Sequence, residues 1–348
     1  MADFTRAEPI YLDYNATTPP DPRVAATMQP FLQEHFGNPS SSHAVGRRTK
    51  EAVEKARGQT ADLLGASPDD VIFTSGGTEA NNHAIIGAAH LASGQTGSRG
   101  HIVTTSVEHP AVSEVCRHLA SQGFTTTFVP VDSECRVDPE RMAAAMTEGT
   151  ILVSVMHANN EVGTIQPVAE IAAMARERGI LSHSDCAQST GKIPVSLTDL
   201  GVDMISVAGH KLYGPKGVGV LCLRPGVTLP NLMFGAGHEK GRRPGTENVL
   251  EIVGLGTACA LARADLATEG TRLAALRDRL QDGLLTAFPA ARINGGGADR
   301  LPNTLSISFP DLTAADVIAA TPGVAMSAGA ACHGDGGVTI SHVLQAMG

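Results

Sequence analysis

The sequence predicts an α/β fold with a mostly parallel central sheet, followed by a smaller α+β region. Short runs of β-branched residues alternate with longer amphipathic stretches, which is typical of parallel strands joined by helices. Several amphipathic stretches begin with proline, which a helix tolerates in its first turn. The predicted strands are 71–74, 102–105, 126–130, 151–156, 180–183, 204–208 and 219–223. The predicted helices are 80–91, 110–121, 139–146 and 167–178.

The last third of the chain has a different pattern. Residues 249–288 carry leucines at helical spacing, which predicts one long helix. Strand-like runs follow at 303–309 and 324–327. We therefore predict a large domain over 16–260 and a small α+β domain made of 1–15 and 261–348.

Composition excludes several classes of function. The net charge of −9 and the absence of a basic run argue against binding to nucleic acid or to an anionic membrane. No apolar stretch is long enough to span a bilayer. The six cysteines are scattered without a Cys-x-x-Cys pair, so neither a disulfide framework nor a metal site is expected. We expect a cytoplasmic protein.

Lys211 is the first candidate functional residue. It follows the apolar run 204–208 almost directly, and ligands of α/β sheets gather beyond the carboxyl ends of strands. An amine beside a buried strand end is partly desolvated and loses its proton more readily than a surface lysine. Such an amine suits a Schiff base. Taken alone, Lys211 fits a solvated loop lysine better, and only the other segments that suit the same chemistry reverse this preference.

Other segments suit the same chemistry. Asp185 ends the apolar-leaning run 179–184, where its carboxylate could pair with a protonated pyridine nitrogen or could simply cap a turn. Gln188 lies three residues further on, within reach of a phenolic ring oxygen. The turn Ser75-Gly76-Gly77-Thr78 follows strand 71–74 and opens a helix, so its free amides could hold a phosphate. Together these segments predict a site for pyridoxal 5'-phosphate (PLP).

Cys332 is the candidate reactive thiol. It lies in Ala330-Ala331-Cys332-His333-Gly334, and such small neighbours predict an accessible loop. The alternative for any lone cysteine is a small buried hydrophobic residue. We favour that alternative for three others, Cys116, Cys222 and Cys259. Cys186 follows Asp185 directly, and its role stays open.

The chain resembles the class V, fold-type I PLP enzymes of the cysteine desulfurase and selenocysteine lyase group (NifS-like). The resemblance runs nearly end to end through motifs in the same order. These are YLDYNATTP at 11–19, GNPSS at 37–41, FTSGGTE at 73–79, SVEH at 106–109, ANNEVG at 158–163, DCAQ at 185–188, GHK at 209–211 and RPGTEN at 243–248.

The resemblance implies a role for each matching residue. Lys211 is implied to form the Schiff base with PLP, Asp185 to pair with its pyridine nitrogen, and Gln188 to contact its phenolic oxygen. His109 is implied to lie against the ring, although it also suits a helix start before Pro110. The remaining implied contacts are the phosphate ligands Gly77, Thr78 and His210, Thr246 from the second subunit of a homodimer, Asn160 near the substrate and the ring, and Asn15 as a weaker substrate contact. Cys332 is implied to receive the sulfur or selenium.

Two features favour a selenocysteine lyase, which removes selenium from L-selenocysteine and leaves L-alanine. The loop 327–335 resembles animal-type selenocysteine lyases, and Ala208 stands where desulfurases commonly carry a phosphate-binding serine. The first alternative is a cysteine desulfurase supplying persulfide sulfur for iron–sulfur clusters or thio-cofactors. A further alternative is a non-catalytic PLP-binding scaffold for sulfur transfer. All three imply a small amino-acid substrate or a sulfur or selenium acceptor protein as partner.

The resemblance also predicts a substrate-carboxylate arginine beyond Gly348. The family continues past a segment like 341–348 into a further strand and helix that carry this arginine. We expect the chain to be incomplete there, with Arg242 and Arg243 as the nearby alternatives.

Overall fold

The computed structural model describes residues 8–97, 99–329 and 341–348, which are organised around one seven-stranded sheet. The sheet has the strand order β2-β8-β7-β6-β5-β3-β4, and two further pairs, β1-β11 and β9-β10, lie outside it. The strands are β1 (Ile10–Tyr11), β2 (Val71–Thr74), β3 (His101–Thr105), β4 (Thr125–Val129), β5 (Thr150–Ser154), β6 (Leu181–Asp185), β7 (Met204–Ala208), β8 (Gly219–Leu223), β9 (Arg292–Ile293), β10 (Ile307–Ser308) and β11 (Val324–Ala325).

Helices cover both faces of the large sheet. They are α1 (Pro22–Met28), α2 (Pro30–Gln33), α3 (Ala44–Leu64), α4 (Gly77–Thr96), α5 (Pro110–Ser121), α6 (Pro139–Ala145), α7 (Val168–Glu177), α8 (Leu197–Leu200), α9 (Val249–Ala287), α10 (Ala314–Ala320) and α11 (His342–Met347). Along β7, Met204 packs with α4 and α5, whereas Ile205 packs with α3, α7 and α9. Each fully buried aliphatic side chain of this kind contributes about 1.5–3 kcal/mol.

The alternating pattern predicts a mostly parallel sheet, and this is confirmed. The exception is β8. β8 is antiparallel to both β2 and β7, and the other neighbours are parallel. Thr74, Gly219 and Ala208 stand level with one another across these three strands. The turn after β2 and the turn after β7 therefore emerge side by side at one edge of the sheet.

The predicted elements of the large sheet are confirmed, with most boundaries within three residues. The bounds of β2, β7, β8 and α5 agree with the prediction. Helix α4 begins at Gly77 rather than at residue 80, so the glycine turn forms its first turn. The predicted strand 303–309 was wrong in extent. Only Ile307–Ser308 pairs, because Asn303 and Thr304 direct their side chains to Asn15 instead.

The first and last parts of the chain meet in the β1–β11 pair, whereas the other small sheet joins two strands of the last part. β1 runs parallel to β11, with Ile10 level with Val324, and β9 pairs antiparallel with β10. The division into domains 16–260 and 1–15 with 261–348 remains a prediction. Within the described residues no helix is both long and apolar enough to cross a membrane.

A buried ion pair fixes the loop between β8 and α9. The Arg57 guanidinium on α3 donates to both carboxylate oxygens of Glu239, each at 2.7 Å, and the two side chains are 4% and 3% exposed. Glu239 also accepts from the backbone N–H of Phe73 at 3.0 Å. Glu239 adopts a left-handed backbone conformation (φ 48°), which these contacts stabilise against its intrinsic strain.

We expect Arg57→Met to lower the free energy of unfolding by about 3–5 kcal/mol, because it leaves the Glu239 carboxylate buried and unpaired. The control is Arg263→Met, which removes an exposed pair with Asp62 and should cost about 0–1 kcal/mol. Urea denaturation measures both variants. Equal losses in the two variants would contradict a special role for the buried pair.

Candidate active site

Lys211 lies in a single 3-10 turn, Gly209–Lys211, that directly follows β7. This turn is packed tightly against the next segment. A Cβ on Gly209 would approach the carbonyl oxygens of Val218 and Pro215 to 3.0 and 3.1 Å, so glycine is favoured at this position. The turn therefore carries Lys211 to the carboxyl edge of the sheet in a fixed position.

The N-terminal segment holds the lysine turn from the outside. The Thr18 hydroxyl donates to the carbonyl of His210 at 2.9 Å and accepts from the backbone N–H of Tyr213 at 2.8 Å. The Lys211 ammonium donates to the carbonyls of Asn15 and of Ala16, the latter at 2.9 Å. Residues 15–18, far away in sequence, thus form one wall of the site.

Asp185 ends β6, the strand that pairs with β7. Its side chain is 6% exposed, with Oδ2 accepting from Asn81 Nδ2 at 2.7 Å and Oδ1 from the backbone N–H of Ala187 at 2.9 Å. No cationic side chain among the described residues forms an ion pair with it. Buried carboxylates are normally paired with a positive charge. Asp185 is therefore suited to a cationic ligand.

His109 is the N-cap of α5 and lies on the same side of the sheet as Asp185. Its Nδ1 accepts from the backbone N–H of Ala111 at 3.0 Å, so the ring proton is on Nε2. Burial lowers the pKa of His109, and the positive charge of Lys211 contributes in the same direction. The imidazole is accordingly neutral near neutral pH.

Glu108 precedes His109 and is completely buried. Its Oε1 accepts from Thr105 Oγ1 at 2.8 Å and from the Met156 N–H at 2.9 Å, while no described group contacts Oε2. Burial raises the pKa of Glu108 to about 8, well above its ordinary value of 4.5. A neutral carboxylic acid therefore lies behind His109 at neutral pH, which no sequence signal had indicated.

The turn before α4 approaches the same edge. Gly76, the N-cap residue, makes no side-chain capping bond, so the amides of the first turn have no side-chain cap. A Cβ on Gly219 would lie 2.5 Å from the carbonyl carbon of Gly76, so the first residue of β8 is packed tightly against this turn. Nearby, Glu79 forms an ion pair with Arg243 at 2.8 Å.

Asn15 connects several of the candidate residues. Its carbonyl accepts from Gln188 Nε2 at 2.9 Å as well as from Lys211. Its side-chain amide donates to the carbonyl of Asn160 at 3.1 Å and to Thr304 Oγ1 at 3.0 Å. The structure thus brings Asn15, Gln188, Asn160 and Lys211 together.

His210 and Lys192 complete this cluster. His210 Nδ1 contacts Thr17 Oγ1 at 3.1 Å, and burial, reinforced by nearby lysines, lowers its pKa to about 4. Lys192, which the sequence analysis missed, is buried and donates to Gln188 Oε1 at 2.9 Å. The residues before Lys192, Gln188-Ser189-Thr190-Gly191, are polar or glycine, so the local sequence gives no signal that this lysine is buried.

The remaining candidates are placed elsewhere or fall outside the described residues. Thr246 is exposed on the loop before α9. The proposal that Arg242 or Arg243 is available for a substrate carboxylate finds no support in their contacts. Arg242 donates to the carbonyls of Asp69, Val71 and Glu239, and Arg243 pairs with Glu79.

The cysteines fall into two groups. Cys332 lies outside the described residues. The described ends of its segment, Gly329 and Ser341, both lie beside Glu161, and the Ser341 hydroxyl donates to the Glu161 carboxylate. Cys116, Cys222 and Cys259 are buried, as predicted, and so are Cys135 and Cys186. Burial raises the pKa of each of these five thiols to about 12, so none is a thiolate at neutral pH.

These residues fit PLP on structural grounds. The buried carboxylate of Asp185 requires a cation, the uncapped start of α4 suits a phosphate, and the amine of Lys211 lies at the same edge of the sheet. The fold and the site together define an α/β enzyme of the PLP-dependent, fold-type I class.

Comparison with known proteins places the chain more narrowly. Residues 10–346 match the family model of the class-V aminotransferases. The chain is 47% identical to the cysteine desulfurase IscS of Anaeromyxobacter sp. (strain Fw109-5), over 98% of this chain and 84% of that protein. Two solved structures are also similar. A NifS-like protein has a TM-score of 0.88 at 39% identity, covering 97% of this chain and 89% of that one. SspA in complex with cysteine has a TM-score of 0.86 at 34% identity, covering 97% and 94%.

The chain therefore belongs to the class V aminotransferase family, in its cysteine desulfurase (NifS-like) branch, and its cofactor is PLP. The resemblance found from the sequence motifs is confirmed. The similar proteins favour the desulfurase alternative over the selenocysteine lyase that loop 327–335 favoured.

The buried acid Glu108 gives a testable pH dependence. Its pKa of about 8 in the folded protein exceeds the ordinary value of 4.5, so the folded state keeps a proton that the unfolded chain releases. The contribution of Glu108 to the free energy of unfolding of the wild type therefore falls as the pH rises from about 4.5 to about 8. Glu108→Gln, which is neutral at every pH, should become more stable relative to wild type between pH 5 and pH 8, by at most about 1.4 kcal/mol per pH unit.

Denaturant unfolding at several pH values measures this difference. The control is Glu114→Gln on the exposed side of α5, where no such trend is expected. A stability difference between Glu108→Gln and wild type that stays constant with pH would show that Glu108 is ionised in the folded protein.

Proposed function

We propose that this protein is a cysteine desulfurase that converts L-cysteine to L-alanine and passes the sulfur to an acceptor protein. The observation that carries the proposal is the buried Asp185 carboxylate, which has no cationic partner among the described residues and lies beside the strand that leads to Lys211. The similarity to desulfurases and to SspA in complex with cysteine supports cysteine as the substrate.

The cofactor-binding residues are proposed from these contacts. Asp185 would pair with the pyridine nitrogen, held in place by Asn81 and by the Ala187 N–H. Lys211 would form the covalent link through Nζ. PLP bound in this way supplies an electron sink for negative charge at the substrate Cα.

The phosphate would lie at the start of α4. The backbone amides of Gly77 and Thr78 are the candidate donors, and they are free because Gly76 provides no side-chain cap. His210 lies next to Lys211, and its low pKa of about 4 makes it a neutral hydrogen-bond partner rather than a cation. Thr246 would reach the phosphate from a second copy of the chain, and its exposure is compatible with that role.

Four residues would act on the ring and the substrate. The neutral imidazole of His109 suits stacking on the cofactor ring, and Asn160 lies next to Asn15 at the same edge. Gln188 would donate an N–H to the ring oxygen. Lys211 Nζ would also be the base that takes the proton from the substrate Cα.

Sulfur transfer is assigned to Cys332. Its thiolate would attack the substrate sulfur, the bond between that sulfur and Cβ would break, and a persulfide would form on Cys332. Cβ then takes a proton, so that cysteine and one enzyme thiol yield alanine and one enzyme persulfide. Glu161 lies next to Asn160, accepts from the Ser341 hydroxyl, and would lie 3.1 Å from a Cβ on Gly329, so both described ends of the Cys332 segment are near the site, which supports this assignment.

Selenocysteine lyase remains the second candidate because of Ala208. This residue ends β7 beside the phosphate turn, where its methyl group would lie 3.1 Å from a Cβ on Gly77. A hydroxyl at position 208 is therefore absent from a location where it could contact the phosphate. Comparing the two amino-acid substrates distinguishes the two activities.

The assignment of Lys211 predicts a covalent adduct. Borohydride reduction of the PLP-loaded protein should attach the cofactor irreversibly to the peptide that contains Lys211, as detected by mass spectrometry. Lys211→Ala should give no adduct and no alanine from L-cysteine. Lys216→Ala, at an exposed lysine five residues away, should behave like wild type.

Two outcomes would count against this account. An adduct on a different lysine in the wild-type protein would overturn the role of Lys211. Full alanine release by Cys332→Ala, with the adduct still formed, would leave the PLP site intact but remove Cys332 from the reaction.

A further inference from the structure

Lys192 is a buried lysine outside the site motifs. It lies on the loop after β6 and is 8% exposed. Its Nζ donates to Gln188 Oε1 at 2.9 Å, and no carboxylate among the described residues lies within ion-pair distance of it. Burial, with a smaller contribution from the charge of Lys211, lowers its pKa to about 7. A buried amine without a counter-charge is costly, so it calls for an explanation.

The contacts of Gln188 identify what Lys192 does. An ammonium group can only donate hydrogen bonds, so the Gln188 atom that faces Lys192 must be the amide oxygen. A backbone carbonyl can only accept, so the atom that faces Asn15 must be the amide nitrogen. The two contacts agree, and together they fix the orientation of the amide.

The fixed orientation has a consequence for the cofactor. One N–H of Gln188 is bound to the Asn15 carbonyl at 2.9 Å, which leaves the second N–H to bind another acceptor. The carbonyl of Asn15 is shared with Lys211, whereas Oε1 is held by Lys192 alone among the described residues. Lys192 is therefore the described residue that holds the oxygen side of the Gln188 amide.

We propose that Lys192 is a positioning residue that holds the Gln188 amide so that it presents an N–H, and not its carbonyl oxygen, to the ring oxygen of PLP. The proposal rests on the proposed PLP site. Without the Lys192 donor, the buried Gln188 Oε1 is left without a hydrogen bond. Rotation of the amide then no longer breaks a hydrogen bond to this oxygen. Rotation would place an acceptor against the acceptor oxygen of the ring.

The test uses wild type, Lys192→Met, Gln188→Ala and the double variant. Each apoprotein is titrated with PLP at about pH 6, below the pKa of about 7 of Lys192, so that its amine is protonated and acts only as a hydrogen-bond donor. The visible absorption maximum of each PLP-loaded protein is recorded as a second readout. Lys216→Met is the matched control, because it removes an exposed lysine close to His210 without touching Gln188.

We expect Lys192→Met to weaken PLP binding by about two- to tenfold, the effect of one hydrogen bond. It should move the absorption maximum in the same direction as Gln188→Ala, and it should have no further effect in the Gln188→Ala background. Lys192→Gln, which keeps an N–H donor, should retain the wild-type spectrum. Lys216→Met should match wild type in both readouts.

The proposal is overturned if Lys192→Met binds PLP and absorbs like wild type, or if it weakens binding equally in the presence and absence of Gln188. Thermal unfolding of the apoproteins identifies a variant that does not fold. If Lys192→Met does not fold, a spectrum of Lys192→Gln shifted like that of Gln188→Ala would overturn the proposal, and a wild-type spectrum would support it. A wild-type protein that takes up no PLP would instead contradict the proposed function itself.

Discussion

The parallel pairing of β6 with β7 is the constraint on which the rest of the site depends. Asp185 ends β6, level with Ser206 on β7, and the turn that carries Lys211 begins only three residues after Ser206. The carboxyl ends of parallel strands emerge at one edge, so this pairing alone brings a carboxylate and an amine from separate segments together. β8 extends the same edge to the turn before α4, because Gly219 stands level with Ala208.

Long-range hydrogen bonds then turn this edge into a closed site. Asn15 contacts Gln188, Lys211, Asn160 and Thr304, which lie up to 289 residues away in the sequence. Each of these bonds is worth only about 1 kcal/mol. Their value lies in alignment, because they hold several catalytic candidates in one arrangement before any substrate arrives. The charges of the site are also arranged in advance. Burial lowers the pKa of His109 and of His210, so both imidazoles are neutral, and the Asp185 carboxylate is placed to pair with a cation.

Sequence reasoning could find what local patterns encode. The strand 204–208 was predicted from its mostly apolar sequence, and the structure buries all five of its residues. Lys211 was noticeable because a polar pair, His210 and Lys211, follows that run. The candidate phosphate turn at the start of α4 was visible from two consecutive glycines, Gly76 and Gly77, where the helix begins. The failed part of strand 303–309 illustrates the limit. Asn303 and Thr304 have strand-like neighbours, but their contact with Asn15 is a tertiary interaction that no local pattern contains.

Lys192 and Glu108 were missed for a related reason. A lysine or a glutamate is ordinarily exposed, and nothing nearby in sequence shows that the fold buries it. The Glu108 carboxyl group is buried where Thr105, at the end of β3, and Met156, just after β5, contact it. Lys192 is buried on the loop after β6, where it donates to Gln188.

The central claim is that this site removes sulfur from cysteine. The most direct measurement is the formation of L-alanine by the PLP-loaded wild-type protein, supplied in parallel with L-cysteine and with L-selenocysteine, together with the persulfide content of the protein. We predict alanine from L-cysteine, with one persulfide sulfur formed for each alanine in the first turnover. Alanine from L-selenocysteine alone, or bound PLP with no alanine from either substrate, would contradict the claim.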